Sequence, residues 1–398
     1  MRERLLFLTG RLAESRLEKV LQGMAPAAFD WGIVNVGVKV AALMTEPILM
    51  RRLTRPLQAD RVILPGRCRA DLERLTQEFG APFERGPDEL RDLPEYFGRA
   101  GATLDLSRHA LTIFAEIVDA SQMSVAALLE RAERMHGQGA DVIDLGCLPD
   151  TPFPHLEDAV RELKARGFSV SVDSADADEL RRGGAAGADY LLSLDERNLA
   201  IAGETGARPV LIPAPHGDLA SLYRAHEEAQ KRGFRAILDP VLDPIHFGFA
   251  ESLWRYREVR ARLPEAEMLM GTGNLTELTD ADSAGVTAAL LGICSELGVA
   301  NALVVHVSPH TRRTIEEHDS ARRIMYAAAA DHSLPKGYGS ALLQIHDRKP
   351  FPYSAWEIAE AAAQVKDENY RIEAAEDGIH VYNRAGHFVA SEALALFD

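Results

Sequence analysis

The chain has 398 residues, a length typical of two or three domains, and is therefore longer than a single small binding module. Hydrophobic residues make up 46% and charged residues 26% of the sequence, a composition that excludes intrinsic disorder of the whole chain. With 44 Lys and Arg against 60 Asp and Glu, the formal net charge is −16, which repels phosphate backbones and argues against nucleic acid as a partner.

The first hundred residues alternate short apolar runs with helix-like periodic stretches. This alternation is typical of βαβ units around a parallel sheet. We therefore predict a small Rossmann-like or flavodoxin-like α/β domain over residues 1–105, in which the Pro- and Gly-rich segment 83–107 links to the next domain. The predicted strands are 4–10, 31–38 and 59–66, and the predicted helices are 12–24, 40–53 and 70–80.

From residue 112 a strand–helix pattern repeats eight times. Eight units over roughly 220 residues predict a closed (β/α)₈ barrel over residues 106–332, with a long doubly wound sheet as the alternative. The predicted strands are 112–119, 140–146, 168–174, 188–194, 208–214, 235–240, 267–271 and 301–307. The helices are predicted to begin near Ser124, His155, Asp176, Glu196, Asp218, Ala250, Asp282 and Thr311, and several of these residues suit an N-cap.

The last segment, residues 333–398, changes character. It predicts a helix followed by a β-hairpin within residues 369–390, with Asp377 and Gly378 at the turn. We expect this extension to be a cap or an oligomer surface.

The cysteines and the apolar runs indicate a cellular location. Cys68, Cys147 and Cys294 lie far apart with no CxxC pair, which argues against a disulfide framework and a thiolate zinc site. The apolar run 5–8 is too short for a signal peptide, and no segment reaches the ~20 apolar residues of a membrane helix. We expect a cytoplasmic protein with no membrane partner.

The residues near the predicted strand ends are polar and mostly acidic, and in a (β/α)₈ barrel the C-terminal strand ends carry the chemistry. They are Glu116, Asp119, Asp144, Asp173, Ser174, Ser193, Asp195, His216, Asp239, Asp243, His246, Asn274, His306 and Ser308. Such a set could hold a metal ion, although no HExxH or HxH pair is present. The chain also lacks a GxSxG elbow, and Cys147 is interpreted as a small buried hydrophobe. Carboxylates also suit a planar heterocycle such as a pterin, which offers adjacent N–H donors.

Four segments resemble successive strand ends of the dihydropteroate synthase and pterin-binding methyltransferase superfamily. They are GADVIDLG (139–146), SVSVDS (169–174), ILDPVLDPIHFGF (237–249) and MGTGNLTEL (270–278). The resemblance covers residues 112–330 and implies a (β/α)₈ barrel with a pterin in its C-terminal opening. With the N-terminal α/β domain, the chain is similar to the dihydropteroate synthase-related proteins associated with tetrahydromethanopterin synthesis.

The resemblance also implies roles for individual residues. Asp173 and Asp239 match the strand-three and strand-six aspartates that contact the pterin, and Asp119 occupies the place of the strand-one asparagine. We expect these three to be catalytic, with Asp119 as a ligand of Mg²⁺. The expected substrate-binding residues are Asp144, Ser193, Asn274, His306, Ser308, Arg312 and Arg313.

The sequence departs from true synthases in two loops. Gly146 is followed by CLPDTPFPHL, without the family's Ser-Thr-Arg, and the Arg-x-His pair after strand eight is replaced by His306, Val307 and Ser308. The cations left near that end are Arg312 and Arg313, where a helix N-terminus also favours an anion. Asn274 resembles the methyltransferase pattern more than the synthase pattern.

Three functions are consistent with these residues. The first is a transferase that joins a 6-hydroxymethyl-dihydropterin diphosphate to an arylamine in tetrahydromethanopterin or folate-type cofactor synthesis, acting as a homodimer. The second is a pterin-dependent methyltransferase with a separate corrinoid partner. The third is a pterin-binding protein without catalysis.

Overall fold

The structure is a computed structural model that describes residues 2–100, 104–343 and 351–396. The chain divides into two compact units, one that ends at Leu342 and one that begins at Leu343. The first unit contains both an N-terminal sheet and a barrel, and the second contains a C-terminal helix and sheet. The predicted domain boundaries after residues 105 and 332 stay predictions.

Eight parallel strands close into a barrel, which confirms the predicted fold class. The closure runs through the pairing of Arg208–Leu211 with Ile237–Leu238, and no edge is left open in this sheet. The strands are β5 (Thr112–Ile117), β6 (Val142–Gly146), β7 (Ser169–Asp173), β8 (Tyr190–Leu194), β9 (Arg208–Leu211), β10 (Ile237–Leu238), β11 (Glu267–Gly271) and β12 (Asn301–Val305).

Side chains alternate between the barrel interior and the helix layer because successive residues of a strand point to opposite faces. On β5, Ile113, Ala115 and Ile117 pack in the core under the helices, whereas Phe114 packs inside the barrel. The apolar layer inside the barrel consists of Phe114, Val142, Leu192, Val210, Ile237 and Leu269, with Tyr190 and Leu303 partly buried against it. This layer forms the floor beneath the C-terminal opening.

The helices of the barrel lie outside the strands and bury apolar faces against them. They are α5 (Val125–Gln138), α6 (Leu156–Ala165), α7 (Ala177–Ala185), α8 (Ala200–Thr205), α9 (Leu219–Lys231), α10 (Phe249–Arg262), α11 (Gly273–Thr276), α12 (Ser283–Leu297) and α13 (Thr314–Ala330). Ser124, Asp176 and Asp218 cap three of them by accepting hydrogen bonds from free backbone amides. No helix within the described ranges is long and apolar enough to cross a membrane.

Two of the predicted helix starts are too early. The helix expected near Glu196 begins at Ala200, because Asp195 and Asn198 form a turn in which the Asn198 side chain accepts the Asp195 amide at 2.8 Å. The helix expected near Thr311 begins at Thr314, after a single 3₁₀ turn over Pro309–Thr311.

The N-terminal domain is a four-stranded parallel sheet with the strand order β2-β1-β3-β4. Its strands are β1 (Glu3–Thr9), β2 (Phe29–Asn35), β3 (Arg61–Leu64) and β4 (Phe83–Arg85), and its helices are α1 (Glu14–Gly23), α2 (Glu46–Arg52), α3 (Leu72–Phe79) and α4 (Leu93–Tyr96). The order with β1 and β3 adjacent at the centre is the flavodoxin-like arrangement. The start of the predicted linker is therefore wrong, since β4 pairs with β3 and completes the sheet.

The second compact unit contains α14 (Ala355–Gln364) and an antiparallel sheet of three strands, β13 (Arg371–Ala375), β14 (Gly378–Asn383) and β15 (Gly386–Ala390). The predicted hairpin corresponds to β13 and β14, which turn at the expected Asp377. The third strand follows a second turn, in which the Asn383 side chain accepts the amide of Ala385 at 2.8 Å. Residues 344–350 of the predicted extension lie outside the described residues.

Candidate functional site

The register of the barrel brings three carboxyl groups together on adjacent strands. Glu116 on β5 pairs in register with Asp144 on β6, and Gly146 two residues further pairs with Asp173 on β7. Neighbouring parallel strands lie ~4.8 Å apart, so these side chains are direct neighbours. Asp239 follows β10 and lies close enough to Asp173 for their charges to interact. We call Glu116, Asp144, Asp173 and Asp239 the carboxyl cup.

Each aspartate of the carboxyl cup uses one oxygen for a bond within the protein. Asp144 Oδ1 accepts the Ser171 hydroxyl at 2.5 Å, and Asp173 Oδ1 accepts the Ser193 hydroxyl at 2.5 Å. Asp239 Oδ1 accepts the Tyr256 hydroxyl at 2.7 Å and a backbone amide at 2.8 Å. The Oδ2 atoms of all three have no hydrogen-bond partner among the residues that the structure describes, and that of Asp144 is fully buried.

Glu116 is the fourth member of the cup, and its carboxyl group makes no hydrogen bond or ion pair within the described ranges. It lies against Gly146, where an added Cβ would come within 2.6 Å of Glu116 Oε1. Glycine at this position therefore leaves the space that the carboxyl group occupies. Four acids thus converge on one opening with several oxygens available to a ligand.

Burial raises the pKa values of all four carboxyl groups. Burial and the neighbouring Asp173 raise the pKa of Glu116 to about 7. Burial, and to a lesser degree Asp173 and Glu116, raises the pKa of Asp144 well above its usual value. For Asp239 burial raises the pKa to about 6, although the hydrogen bond from Tyr256 opposes the rise.

Two acids of the carboxyl cup, Asp173 and Asp239, accept hydrogen bonds from residues with strained backbone conformations. Ser193 has φ of 63°, at an irregularity in the pairing of β8 with β9, and there its hydroxyl reaches Asp173. Val241 has φ of 65°, unusual for a β-branched residue, and its amide donates to Asp239. Buried Arg255 holds this turn through the carbonyl oxygens of Pro240 and Val241, at 3.0 and 2.7 Å. Strain of this kind persists where surrounding contacts maintain it, and it is frequent at binding sites.

A cleft of about 1000 Å³ opens above β5–β8 and is lined by Glu116, Asp173, Ser193 and the loop 147–154. The cleft also contains Arg182 and Arg197, but both are engaged. Arg182 forms two hydrogen bonds with Glu157, at 2.7 and 2.6 Å, and Arg197 pairs with Asp195. Within the described residues, no arginine or lysine is paired with the carboxyl cup.

The structure places several predicted site residues away from the carboxyl cup. Asp119 lies beyond the end of β5, is about half exposed, and forms an ion pair with Arg131 at 3.2 Å. Asn274 is exposed, and its side chain donates to the carbonyl oxygen of Leu242 at 2.8 Å. The bond from Asn274 therefore reaches the loop that follows Asp239, whereas Asp119 does not line the cleft.

The loop after β12 is closed by an acid that the sequence reasoning missed. The amides of Val307 and Ser308 donate to Glu277 at 2.7 and 3.0 Å, and the Thr311 hydroxyl also donates to Glu277. Glu277 thus occupies the backbone donors that an anion would otherwise use. No signal in the sequence marks this contact, because Glu277 belongs to a separate loop.

The other predicted residues of this region lie around that loop. His306 is half-buried, and burial together with Arg131 lowers the pKa of its imidazole. Arg312 and Arg313 are exposed and directly precede α13. His306 lies beside the ion pair of Arg131 with Asp119, and its carbonyl oxygen accepts a hydrogen bond from Arg131 at 3.4 Å.

Other strand-end acids have structural partners. Asp243 pairs with buried Arg255 at 2.7 Å and with His216 at 2.8 Å, and Asp195 caps its own turn. Cys147, interpreted as a small buried hydrophobe, is partly buried, and burial raises the pKa of its thiol.

The expected Mg²⁺ ion requires side chains that are arranged to ligate it. Among the described residues, no three or more His, Cys, Asp or Glu side chains are arranged to hold a metal ion. The expected ligand Asp119 is paired with Arg131. These side chains do not fit a resident Mg²⁺ ion, and none of the chemistry below depends on one.

Known proteins match different parts of the chain. Residues 3–88, within the N-terminal sheet, match a family of unknown function (DUF6513). An uncharacterised protein of Methanocaldococcus jannaschii is 26% identical, and the match covers 88% of this chain and 79% of that protein.

Several solved structures that are similar to part of this chain are dihydropteroate synthases. The Yersinia pestis enzyme, solved with a pterine-sulfa conjugate, is 20% identical with a TM-score of 0.42, and the match covers 58% of this chain and 97% of that one. The Thermus thermophilus enzyme, in complex with 6HMPPP, is 24% identical with a TM-score of 0.43, and the match covers 56% of this chain and 95% of that one.

Proposed function

We propose that the barrel is a pterin-binding transferase, which joins a 6-hydroxymethyl-dihydropterin diphosphate to an arylamine in the synthesis of a tetrahydromethanopterin-type or folate-type cofactor. The observation that carries the proposal is the set of open carboxyl oxygens in the carboxyl cup. A pterin edge presents an amino group beside a ring N–H, and a carboxylate accepts from two such donors at once. Asp173, whose Oδ1 accepts one hydroxyl and whose Oδ2 has no described partner, is suited to that role, and Asp239 can accept through Oδ2.

The same acids suit the charge that this reaction develops. When the C–O bond to diphosphate breaks, the exocyclic methylene carbon and the ring share a positive charge, until the arylamine nitrogen attacks the carbon and loses a proton. Asp173 lies in a buried site without a paired cation among the described residues, so its negative charge would stabilise the cation strongly. The protein's contribution would be orientation and electrostatic stabilisation.

Glu277 favours a second candidate function. Diphosphate needs donors or cations, yet the amides of Val307 and Ser308 already donate to Glu277. A pterin without phosphate, as in methyl transfer to a separate corrinoid partner or in binding without catalysis, would not need these amides. In the synthase reaction, by contrast, Arg312 and Arg313 would have to bind the leaving group, with Mg²⁺ arriving as part of the substrate.

Calorimetry can distinguish these functions. We would titrate the protein with 6-hydroxymethyl-7,8-dihydropterin and with its diphosphate, each with and without Mg²⁺, and repeat the titration with Asp173→Asn. Asp158→Asn, which changes an exposed acid on α6, is the matched control. Saturable binding that is lost only in Asp173→Asn would support a pterin site.

The ligand preference then separates the two candidates. Tighter binding of the diphosphate in the presence of Mg²⁺ would support the synthase. Equal or weaker binding of the diphosphate would support the second candidate. If neither compound binds, the pterin proposal is wrong.

A further inference from the structure

We infer that Glu116 enters the complex as a neutral acid and donates its carboxyl proton to a lone pair of the bound pterin, so that the cup recognises a donor and an acceptor side by side. This inference rests on the proposed function, because it assigns a role toward the pterin. It concerns a residue for which neither the sequence resemblance nor the comparisons supply a role.

The first argument is geometric. Glu116 and Asp144 are register partners on adjacent strands, and Asp173 is the next acid on the following strand. Three negative charges in such a row repel one another, and the apolar layer at Phe114 and Val142 lies directly beneath them. At least part of the row must therefore be protonated.

The second argument concerns which acids keep the proton. Asp144 is completely buried and has one donor, Ser171, so its ionised form is the least stabilised. Asp173 accepts the hydroxyl of Ser193, which favours its charged form. Glu116 has no donor among the described residues, and it is also partly open to the cleft. It is thus both short of stabilisation as an anion and accessible to a ligand.

The third argument is the absence of a compensating cation around Glu116 in the described ranges. On β6 and β7 the facing groups are Asp144 and Asp173, and the thiol of Cys147, directly after β6, interacts with these two acids. On the other side, β12 is followed by His306, whose imidazole pKa is lowered by burial and by Arg131 and raised to a lesser degree by Glu277 and Glu316. Farther round the barrel, Asp239 interacts with Asp173, and Glu179 on α7 interacts with Cys147.

These conditions give the cup a mixed hydrogen-bonding character. Asp173 and Asp239 accept from N–H donors, whereas neutral Glu116 donates to a ring nitrogen or carbonyl oxygen. The pKa of Glu116, raised to about 7 by burial and by Asp173, places the change of state within the range of ordinary assays. Above that pH, Glu116 must take up a proton when the ligand binds.

Calorimetry in two buffers of different ionisation enthalpy measures this proton directly. With 6-hydroxymethyl-7,8-dihydropterin, we expect proton uptake near zero at pH 6 and approaching about one proton per site at pH 8.5. The affinity should fall by about tenfold between pH 7 and pH 8.5. Glu116→Gln retains a neutral donor, so it should bind the pterin with no proton uptake at either pH, and Asp158→Asn should behave as the unchanged protein.

The outcomes separate the inference from the proposed function. If the pterin binds but Glu116→Gln keeps the same proton uptake as the unchanged protein, the inference is wrong and the pterin site stands. If no pterin binds to any form, both are wrong.

A measurement without ligand gives an independent test. The side-chain carboxyl resonances of ¹³C-labelled glutamates, with Glu116→Gln for assignment, should show Glu116 titrating near neutral pH. Asp173→Asn should lower that pKa, because it removes the neighbouring charge. Titration of Glu116 at its ordinary value would overturn the inference whether or not a ligand is found.

Discussion

The two ends of the barrel treat buried charge in opposite ways. At the N-terminal end, Arg322 is almost fully buried and bonds the carbonyl oxygens of Leu111 and Gly139 at 2.7 and 3.1 Å. It also pairs with Asp319 at 2.7 Å and with Asp141. At the C-terminal end, the carboxyl cup has no paired cation within the described residues.

The pKa values show the same contrast. Glu267, at the start of β11, is partly buried, yet bonds from Arg208 and Asn301 lower the pKa of its carboxyl group. Glu116 is partly buried without such bonds, and burial raises its pKa to about 7. We infer that the N-terminal charges stabilise the fold, whereas the C-terminal acids reduce stability and remain available to a ligand.

The largest effect on stability is expected at the N-terminal end. Arg322→Met removes the arginine paired with Asp141, one of the two arginines paired with Asp319, and the donor to the carbonyl oxygens of Leu111 and Gly139. It should lower the free energy of unfolding by about 3 kcal/mol. Urea unfolding measures this. Arg161→Met, which breaks an exposed pair with Asp158, is the control and should cost less than about 0.5 kcal/mol. Equal stability of the two variants would contradict the assigned role of Arg322.

A substitution in the carboxyl cup should weaken ligand binding and should not lower the free energy of unfolding. Asp173→Asn should weaken pterin binding by about 10- to 100-fold, because a charge-assisted hydrogen bond contributes roughly 1.5–3 kcal/mol. Its free energy of unfolding should stay the same or rise, since the variant removes a buried charge without a described cation. Binding calorimetry and urea unfolding on one preparation measure both. A loss of stability comparable to that of Arg322→Met would remove the contrast between the two ends.

The pH dependence of stability sharpens the contrast further. The pKa of Glu116 is higher in the folded state than its usual value of 4.5, so the folded protein holds this proton longer than the unfolded chain. Stability should therefore fall as the pH rises from about 4.5 to 7, and then level off. Glu116→Gln should raise the free energy of unfolding by about 1–3 kcal/mol at pH 8 and change it little at pH 4.5. An equal effect at both values of pH would show that Glu116 is not perturbed.

The smallest effect is expected for Glu267→Gln. The pair with Arg208 is partly exposed, so its loss should cost about 1 kcal/mol or less. Pterin affinity should not change, because the apolar layer separates this end from the carboxyl cup. A thermal unfolding curve and a binding titration are sufficient, and weakened binding would indicate that the two ends are coupled.

The sequence predicted the barrel well because its signal is local and repeated. All eight strands occur within the predicted runs, and closure follows from their number. The third C-terminal strand was missed because its turn depends on the side chain of Asn383 and not on a glycine pair.

The site was predicted less completely, because the sequence did not show where the first barrel strand ends and therefore which side chains point into the barrel. The first barrel strand was predicted to reach residue 119, but it ends at Ile117. Glu116 was named among the strand-end acids but given no role, and its inward position could have been found by counting alternate residues from Phe114 once the strand end was known. Glu277 could not, because its contact joins two loops about 30 residues apart.

The shortest barrel strand has a consequence for motion. β10 consists of Ile237 and Leu238, which make the only strand pairs recorded between β10 and its neighbours β9 and β11 in the described part of the barrel. Few cross-strand hydrogen bonds mean a low free energy of local opening, so the amides of this seam should exchange with deuterium before those of β5 and β6. Asp239 lies directly after the seam, and a ligand held by Asp239 should slow that exchange. Amide exchange at this short strand could therefore report occupancy of the candidate site without any chemical reaction.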